Sequence, residues 1–195
     1  MRKLKLQVQI SVDGYIADIN GKTDWLLWNW GPDWNWDDEL KKYVIAITEP
    51  VDSIVLGRKL AQGFIPHWAS IPEQAGADKM NNTKKVVFTK TLDESDPAVM
   101  EWSNTILAKG DLDVEINTLK KQDGKDIIAY GGATFVSALI KEELIDEFHL
   151  FINPAAIGNG MSIFNELDSK KNMMLVKSSS FDCGIVVLHY EPKRS

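Results

Sequence analysis

The sequence predicts an α/β protein in which a mixed, mostly parallel sheet is flanked by helices and closed by a C-terminal antiparallel hairpin. Strand-like apolar runs alternate along the chain with helix-like amphipathic segments, and this order favours parallel pairing. The last two strand-like runs, 173–182 and 185–191, meet at the turn sequence Asp182-Cys183-Gly184, which indicates a hairpin. The length of 195 residues, with 44% hydrophobic and 26% charged residues, is typical of a globular chain, and we expect a single domain over 1–195.

The first fifty residues are predicted to form a strand, a long loop and a helix. From Leu4 to Val12 apolar and polar residues alternate, which predicts a strand with one apolar face. Residues 13–35 contain several glycines and are predicted to form a long loop, of the kind that often closes over a site. A helix follows, because apolar residues recur at helical spacing from Leu40 to Ile47 before Pro50 ends the pattern.

Strands and helices continue to alternate through the rest of the chain. Short apolar runs predict strands at 53–57, 85–89, 105–107 and 126–130, and the alternation of Phe148, Leu150 and Ile152 predicts another. Helices are predicted after Arg58, at 96–102, at 111–122 and after Gly132. Residues 65–83 are predicted to form a second long loop.

The net charge and the single cysteine limit the classes of partner and compartment. A formal net charge of −6 and a pI near 5.1 argue against a protein that binds nucleic acid or anionic membranes. One cysteine, Cys183, permits no intramolecular disulfide and fits a reducing compartment. The alternating N-terminal sequence is unlike a signal peptide, and no apolar run reaches the ~18 residues of a membrane span. We therefore expect a cytoplasmic protein that acts on a small molecule.

The strongest chemical feature is a predicted strand that enters a helix through Gly131 and Gly132. Glycines let a ligand approach the backbone, and a helix N-terminus offers N–H groups and a partial positive charge to a phosphate. The alternative is that the glycines only make a tight turn, since the sequence lacks the G-x-G-x-x-G fingerprint. Gly57-Arg58-Lys59 and Thr89-Lys90 end two other strands, where open α/β sheets bind ligands. Either could be plain surface charge, but together with the glycines they predict a phosphate-rich ligand.

Few other side chains form a recognisable catalytic pattern. The candidate proton donors are the acids at the start of the first helix, which could also serve only to stabilise that helix start: Asp37, Asp38 and Glu39. The histidines are scattered and lack metal-ligand spacing, so no metal is expected: His67, His149 and His189. Cys183 has no matched partner, and no G-x-S-x-G motif supports triad hydrolysis.

Five of the seven tryptophans fall within twelve residues: Trp25, Trp28, Trp30, Trp34 and Trp36. One interpretation is a hydrophobic flap that packs onto the core or a subunit interface, because tryptophan buries a large area. The other is an aromatic wall around a planar or sugar-like ligand. A lid over a binding site would satisfy both interpretations.

Several short motifs occur in a characteristic order over nearly the whole chain: 11–17 (SVDGYIA), Gly57-Arg58, 130–133 (YGGA), 144–147 (LIDE), 152–154 (INP), 158–160 (GNG) and Phe164. In this order they resemble the dihydrofolate reductase-like superfamily. The resemblance is strongest to the C-terminal reductase domain of the bifunctional riboflavin-biosynthesis deaminase/reductase and to its stand-alone bacterial relatives. The zinc signature of the deaminase half does not occur in the sequence.

The resemblance implies an NADPH-dependent reductase that transfers a hydride to a C=N or C=O of a small, pterin- or pyrimidine-like substrate. The resemblance implies that Gly57 and Arg58 contact the cofactor phosphates, and that Thr89 and Lys90 bind the 2′-phosphate. Ile16 and Ala17 would border the nicotinamide. The pyrophosphate would be bound by the turn that follows Tyr130, which consists of Gly131, Gly132, Ala133 and Thr134. In this family the Gly-Gly peptide is often cis. A homodimer through the last strands and the segment 154–164 is also implied.

This chain departs from the family pattern at three places. Leu60 replaces a threonine two residues after Arg58, which removes a hydroxyl from the phosphate region. The usual position of the catalytic acid falls on Lys41, and only a shift reaches Asp38, which we take as the candidate acid. Gln7 and Gln9 make the expected substrate pocket polar, with Trp25 and Trp28 as its aromatic side. A second hypothesis follows, in which the fold binds a nucleotide or other ligand without catalysis.

Overall fold

The computed structural model describes residues 1–27 and 36–193, which form a sheet with helices on both faces. The strands are β1 (Leu4–Ile10), β2 (Val51–Gly57), β3 (Lys84–Phe88), β4 (Thr105–Ala108), β5 (Asp126–Tyr130), β6 (Glu147–Ile152), β7 (Met173–Ser180) and β8 (Val186–Pro192). The helices are α1 (Asp38–Thr48), α2 (Arg58–Ser70), α3 (Ala77–Asn82), α4 (Pro97–Met100), α5 (Leu112–Lys121) and α6 (Ala133–Lys141).

The sheet has the strand order β4-β3-β2-β5-β1-β6-β8-β7. All neighbours from β4 to β6 pair in parallel, whereas β8 pairs antiparallel with both β6 and β7. The predicted fold class, including the C-terminal hairpin, is therefore confirmed. Because six neighbouring strands run in one direction, their carboxyl ends meet along a single edge, which we call the carboxyl edge.

The two faces of the sheet are built differently. One face, under α5 and α6, carries a continuous apolar core to which β1 contributes Leu4, Leu6, Val8 and Ile10. The other face carries two separate apolar clusters, one under α2 with Ile54, Leu56 and Ile128, and one under α1 with Phe151 and Val187. The polar side chains of β1 point to this second face and lie between the two clusters: Lys5, Gln7 and Gln9.

The prediction of a long loop over 65–83 is wrong. Helix α2 continues through Pro66 to Ser70, and α3 follows at Ala77–Asn82. A proline inside a helix costs about 3 kcal/mol because it removes a backbone hydrogen bond. Ile65 and Trp68, on either side of Pro66, are both buried, and burying each such side chain is worth about 1.5–3 kcal/mol. Tertiary packing therefore outweighs the local cost of the proline.

Among the described residues, no helix combines the length and the apolar character needed to cross a membrane.

Candidate functional site

Two helices begin side by side at the carboxyl edge. Strand β2 ends at Gly57 and leads directly into α2, whereas β5 ends at Tyr130 and leads through two glycines into α6. Strands β2 and β5 are neighbours in the sheet, so the two helix N-termini are neighbours as well. Both helices have a glycine at the N-cap, and no side chain caps either one. The backbone N–H groups of both first turns are therefore oriented to bind an anion.

Glycines hold these two first turns close together. A Cβ added to Gly57 would lie 2.8 Å from the Cβ of Phe135, in the first turn of α6. Gly132 has a φ of +87°, and a Cβ added to it would make only an ordinary contact with the Cβ of Leu60, in the first turn of α2, at 3.8 Å. Gly57 is therefore required by packing, and Gly132 by its left-handed backbone.

Gly131 is different from both. A Cβ added there would have no atom within 4 Å, and the peptide that joins Gly131 to Gly132 is trans. The tight-turn explanation therefore accounts for Gly132, whereas Gly131 faces open space beside the two helix N-termini.

Cationic side chains follow the ends of β2 and β3. Residues Gly57 and Phe88 pair in the parallel register, so Arg58 and Thr89 come directly after paired positions. The side chain of Arg58 reaches Gln62 at 3.4 Å, and Lys59 is exposed. The structure therefore places Arg58 and Lys59 at the same edge as the glycines, as the sequence predicts.

Lys90 and Thr89 shape the neighbouring part of the edge. The Nζ of Lys90 donates to the carbonyl oxygens of Lys109 and Gly110, at 3.1 and 3.2 Å, and this ties it to the end of β4. The hydroxyl oxygen of Thr89 accepts hydrogen bonds from the backbone N–H groups of Thr91 and Leu92. Thr89 is buried, so its side chain organises the turn that presents Lys90.

The segment after β1 is fastened to the segment after β6. Ile16 N–H donates to Met161 O at 2.9 Å, and Met161 N–H donates to Ala17 O at 2.8 Å. The carboxylate of Asp13 accepts from the Ser11 hydroxyl and from backbone N–H groups, and these bonds, the one from Ser11 first, lower the pKa of Asp13. Ile16 and Ala17 are therefore held in place next to the carboxyl edge, at the end of β1.

The side chains of Ile16 and Tyr130 face away from the space at the edge. Ile16 packs into the core under α6. The ring of Tyr130 stacks on Phe64, with ring centroids 5.5 Å apart, and burial raises its pKa well above the usual value. At these two positions only the backbone is available to a ligand, a distinction that the motif in the sequence does not make.

The glutamines of β1 differ in how they are satisfied. Gln9 Oε1 accepts from Asn153 Nδ2 at 3.1 Å, and the same asparagine accepts from the backbone N–H of Leu27 at 2.8 Å. Gln7 Oε1 is buried and has no hydrogen-bond partner in the described part of the chain, and the same holds for the Nε1 of Trp25. Gln7 therefore offers an acceptor, and Trp25 a donor, for a polar ligand.

The tryptophan cluster is only partly within the described residues. The ring of Trp36 is buried and stacks on Phe151, with centroids 6.1 Å apart, while its Nε1 donates to Leu27 O at 2.6 Å. For Trp36, packing onto the core is therefore the correct interpretation. The proposed substrate residue Trp28, together with Trp30 and Trp34, lies outside the described residues.

The acids at the start of α1 have separate roles. Asp37 caps the helix, since its carboxylate accepts from the N–H of Leu40 at 2.9 Å and from that of Cys183 at 3.1 Å. The side chain of Asp38 is 86% exposed and pairs with Lys41 at 3.3 Å. Both acids line a surface cavity of about 270 Å³ at the β7–β8 turn. Stabilisation of the helix start is therefore the correct interpretation for Asp37, whereas the side chain of Asp38 is exposed to solvent.

A cluster that the sequence does not reveal lies on the second face of the sheet, beside Gln7. His149 of β6 and His189 of β8 pair directly across the two strands, and their rings stack with centroids 4.3 Å apart. His149 Nδ1 lies 2.7 Å from the Tyr43 hydroxyl, and its Nε2 lies 3.4 Å from Glu147 Oε2. The two histidines are therefore adjacent in space although they are 40 residues apart in the sequence.

Burial and charge set the protonation states in this cluster. The hydrogen bond with His149 is the largest cause that lowers the pKa of Glu147, to about 2, with Lys3 and Lys5 adding to it. Burial, and after it the neighbouring His149, lowers the pKa of His189. Burial raises the pKa of Tyr43 to about 12. At neutral pH the cluster therefore holds a carboxylate, a phenol and a neutral His189.

The strand order, with two glycine-started helices that meet at the carboxyl edge, is the fold of solved proteins of riboflavin biosynthesis. The chain belongs to the RibD C-terminal domain family, whose family model matches residues 2–187. The resemblance seen in the sequence is thereby confirmed.

Two individual relatives match this chain over nearly its whole length. The uncharacterized protein YyaP of Bacillus subtilis is 31% identical over 196 residues, which cover 97% of this chain and 94% of YyaP. A protein of Shewanella sp. PV-4 provisionally assigned to riboflavin biosynthesis is 28% identical, with a TM-score of 0.73 and full coverage of both chains.

More distant structures share the fold. A deaminase/5-amino-6-(5-phosphoribosylamino)uracil reductase of Thermotoga maritima is 18% identical, with a TM-score of 0.69 over 98% of this chain and 57% of that one. A pyrimidine reductase-like protein of Corynebacterium diphtheriae is 16% identical, with a TM-score of 0.66 over 100% of this chain and 93% of that one. The chain therefore has the fold of riboflavin-pathway reductase domains.

Proposed function

We propose that this protein is an NADPH-dependent reductase that transfers a hydride to a C=N or C=O of a small, pterin- or pyrimidine-like substrate. The observation that carries the proposal is the pair of uncapped helix N-termini that meet beside Gly131 at the carboxyl edge. Two such termini, with open space beside them at Gly131 and cationic side chains nearby, suit a pyrophosphate. Membership in a family of reductase domains supplies the reaction class.

The cofactor residues follow from the arrangement of the edge. The pyrophosphate would be held by backbone N–H groups from Gly57 to Lys59 and from Gly131 to Thr134, with Arg58 as the cationic partner. Lys90, presented by Thr89, would bind the 2′-phosphate that distinguishes NADPH from NADH. Ile16, Ala17 and Tyr130 would border the cofactor through their backbones. The bound cofactor supplies the hydride, so the protein has to orient two rings and exclude water.

The substrate would lie on the second face of the sheet, next to β1. Gln7 offers a buried acceptor and Trp25 a buried donor, both without partners among the described residues. Gln9, which is held by Asn153, would line the substrate pocket on the side nearer the carboxyl edge, and Trp28 is the proposed aromatic cover of the pocket. A heterocycle that carries both N–H and C=O groups matches this pair of donor and acceptor.

Asp38 is the proposed proton donor, with bound water as the alternative source. Replacing Asp38 by asparagine is expected to lower kcat by roughly 10²-fold, in the range of general acid catalysis. The comparison variant is Glu39→Gln, since Glu39 is the next acid along the helix and pairs with Lys42 at 2.6 Å. Steady-state rates of NADPH oxidation measure both variants. If only Glu39→Gln loses turnover, Glu39 is the donor, and if both variants retain full turnover, the proton comes from water.

A ligand-binding protein without catalysis is the second candidate. Lys41 occupies the expected position of the acid, and Leu60, which faces Gly132, replaces a phosphate-binding hydroxyl. Such a protein would still bind a nucleotide at the carboxyl edge.

One experiment separates these candidates. The protein is titrated with NADPH and with NADH while tryptophan emission is followed, and NADPH oxidation is then measured with dihydropterins, aminopyrimidine ribosides and small carbonyl compounds. Oxidation with any of these substrates, and tighter binding of NADPH than of NADH, is the expected result. Binding without oxidation across the panel would favour the second candidate, and no micromolar binding of either nucleotide would contradict both.

We also propose a homodimer that uses the edge strand β7. Met174, Leu175 and Val176 are each about half exposed on this strand, and an apolar edge strand invites pairing with another chain. Leu175→Glu is expected to shift the protein toward its 21.9 kDa monomer, because a twofold axis brings two like charges together. Val114→Glu, at an exposed apolar position of α5, is the control. Sedimentation that shows only monomer for the unaltered protein at micromolar concentration would refute the dimer.

A further inference from the structure

We propose that Glu147, His149 and His189 form a binding site for a divalent transition-metal ion, with Zn²⁺ as the ion that this set of ligands suits best. The site is separate from the carboxyl edge, so it does not depend on the proposed reductase activity. Two imidazoles and one carboxylate are a known ligand set for zinc, with a fourth position left for water.

The three side chains already converge. One ligand atom from each, a carboxylate oxygen of Glu147 and a ring nitrogen of each histidine, lies within 4.8 Å of the other two. An ion bound at about 2.0–2.2 Å from each ligand needs ligand atoms about 3–3.5 Å apart. His149 Nε2 and Glu147 Oε2 are already 3.4 Å apart. Small rotations of the His189 ring would therefore complete the set.

His189 provides the observation that points to a ligand. Its Nε2 is buried and has no hydrogen-bond partner in the described part of the chain. A buried polar nitrogen without a partner is costly, and binding a metal ion would remove that cost. The ring is also positioned, because it stacks on His149 with an interplanar angle of 21°.

Tyr43 orients the second imidazole. Its hydroxyl lies 2.7 Å from His149 Nδ1, the nitrogen opposite the one that faces Glu147. With an ion on Nε2, the proton of the neutral ring resides on Nδ1 and is donated to the hydroxyl oxygen of Tyr43. Such an outer hydrogen bond fixes the tautomer and direction of a ligating histidine.

The charged groups around the site leave one carboxylate oxygen for the ion. Lys3 Nζ binds the other oxygen, Oε1, at 2.6 Å, and also approaches Glu191 at 3.4 Å. Lys5 Nζ lies 4.0 Å from Glu147 Oε2 but only 3.0 Å from Asp126 Oδ2, so Asp126 holds it away. Three carboxylates, those of Glu147, Glu191 and Asp126, thus surround the ammonium groups of the two lysines. The lysines compete with the ion for Glu147, but neither of them forms a hydrogen bond with the oxygen Oε2 that the ion would use.

The position in the sheet indicates what the ion would do. Glu147 and His149 belong to β6, and His189 belongs to β8, so one ion would join the last parallel strand to the first antiparallel one. Zn²⁺ would therefore act as a structural cross-link on the face of the sheet that also carries Gln7. Removing it would loosen the C-terminal hairpin first.

The test is a calorimetric titration of the metal-free full-length protein with zinc chloride. One ion per chain is expected, and His149→Gln and His189→Gln should each weaken binding by more than about 100-fold. Tyr43→Phe should weaken it by about 10–100-fold, since only the outer hydrogen bond is lost. His67→Gln, on the exposed surface of α2, is the control and should bind zinc like the unaltered protein.

Cobalt keeps the proposal falsifiable if a variant fails to fold. Co²⁺ bound to the unaltered protein should give the intense visible absorption of a four-coordinate site, and Zn²⁺ should displace it. The proposal is overturned if the unaltered protein binds no zinc at micromolar concentration, or if His67→Gln loses as much affinity as His189→Gln. A purely octahedral cobalt spectrum would overturn it as well. None of these readouts requires turnover, so failure of the reductase proposal would leave them unaffected.

Discussion

Gly131→Val is expected to weaken NADPH binding by about 100-fold, or ~2.7 kcal/mol, with little change in melting temperature. The added side chain meets no protein atom, because a Cβ at this position has nothing within 4 Å. It would instead occupy the space beside the N-termini of α2 and α6, where the pyrophosphate is proposed to lie. Titration followed by tryptophan emission measures the affinity, and thermal unfolding measures the stability.

Two further glycines serve as controls for Gly131. Gly63→Val, at an exposed position of α2 that is equally open, should leave NADPH binding unchanged. Gly57→Ala should lower the melting temperature, because its Cβ would lie 2.8 Å from the Cβ of Phe135. Normal NADPH affinity in Gly131→Val would place the cofactor elsewhere and remove the main support for the proposed site.

Gln7→Leu is expected to stabilise the protein while it impairs the reaction. The substitution removes a buried carbonyl oxygen that has no partner in the described residues, which should raise stability by about 1 kcal/mol, or roughly 2–4 °C in Tm. The same change removes the acceptor proposed for the substrate, so kcat/KM should fall by roughly 10²-fold, or about 2.7 kcal/mol. Thermal unfolding and NADPH oxidation measure the two effects.

Gln9→Leu provides the contrast. It would break the 3.1 Å hydrogen bond from Asn153 Nδ2 and leave that buried amide only its 3.3 Å hydrogen bond to Phe151 O, so the melting temperature should fall. A rise in Tm for Gln7→Leu together with unchanged kcat/KM would show that Gln7 is a tolerated buried polar group with no role in substrate binding.

Local sequence patterns predict well the two helices that begin at the carboxyl edge. The strand, the two glycines and the helix from Asp126 to Lys141 form one continuous stretch, and so do β2, Gly57 and Arg58. What the pattern does not give is the direction of each side chain. Tyr130 and Ile16 belong to the expected motifs, yet their side chains are buried in apolar clusters and only their backbones remain at the edge.

The histidine cluster illustrates the limit of sequence reasoning. The alternation of Phe148, Leu150 and Ile152 predicts β6, and the run 185–191 after the predicted hairpin turn predicts β8, but the cross-strand register that pairs His149 with His189 depends on how the hairpin packs against β6. Tertiary contacts also explain why α2 continues through Pro66, because the burial of its inner face outweighs the helix-breaking effect of the proline. In both cases tertiary contacts decide what the local pattern leaves open.

The contact between the first turns of α2 and α6 restricts how this chain can vary. Phe135 fits because residue 57 is a glycine, whereas a Cβ at Gly132 would make only an ordinary contact with Leu60, at 3.8 Å, and what restricts Gly132 is its φ of +87°. Residues 57 and 135 come from segments about 75 residues apart, yet any Cβ at position 57 would lie 2.8 Å from the Cβ of Phe135. We expect related proteins that keep this contact to keep the glycine at position 57, whichever side chain they carry at position 135.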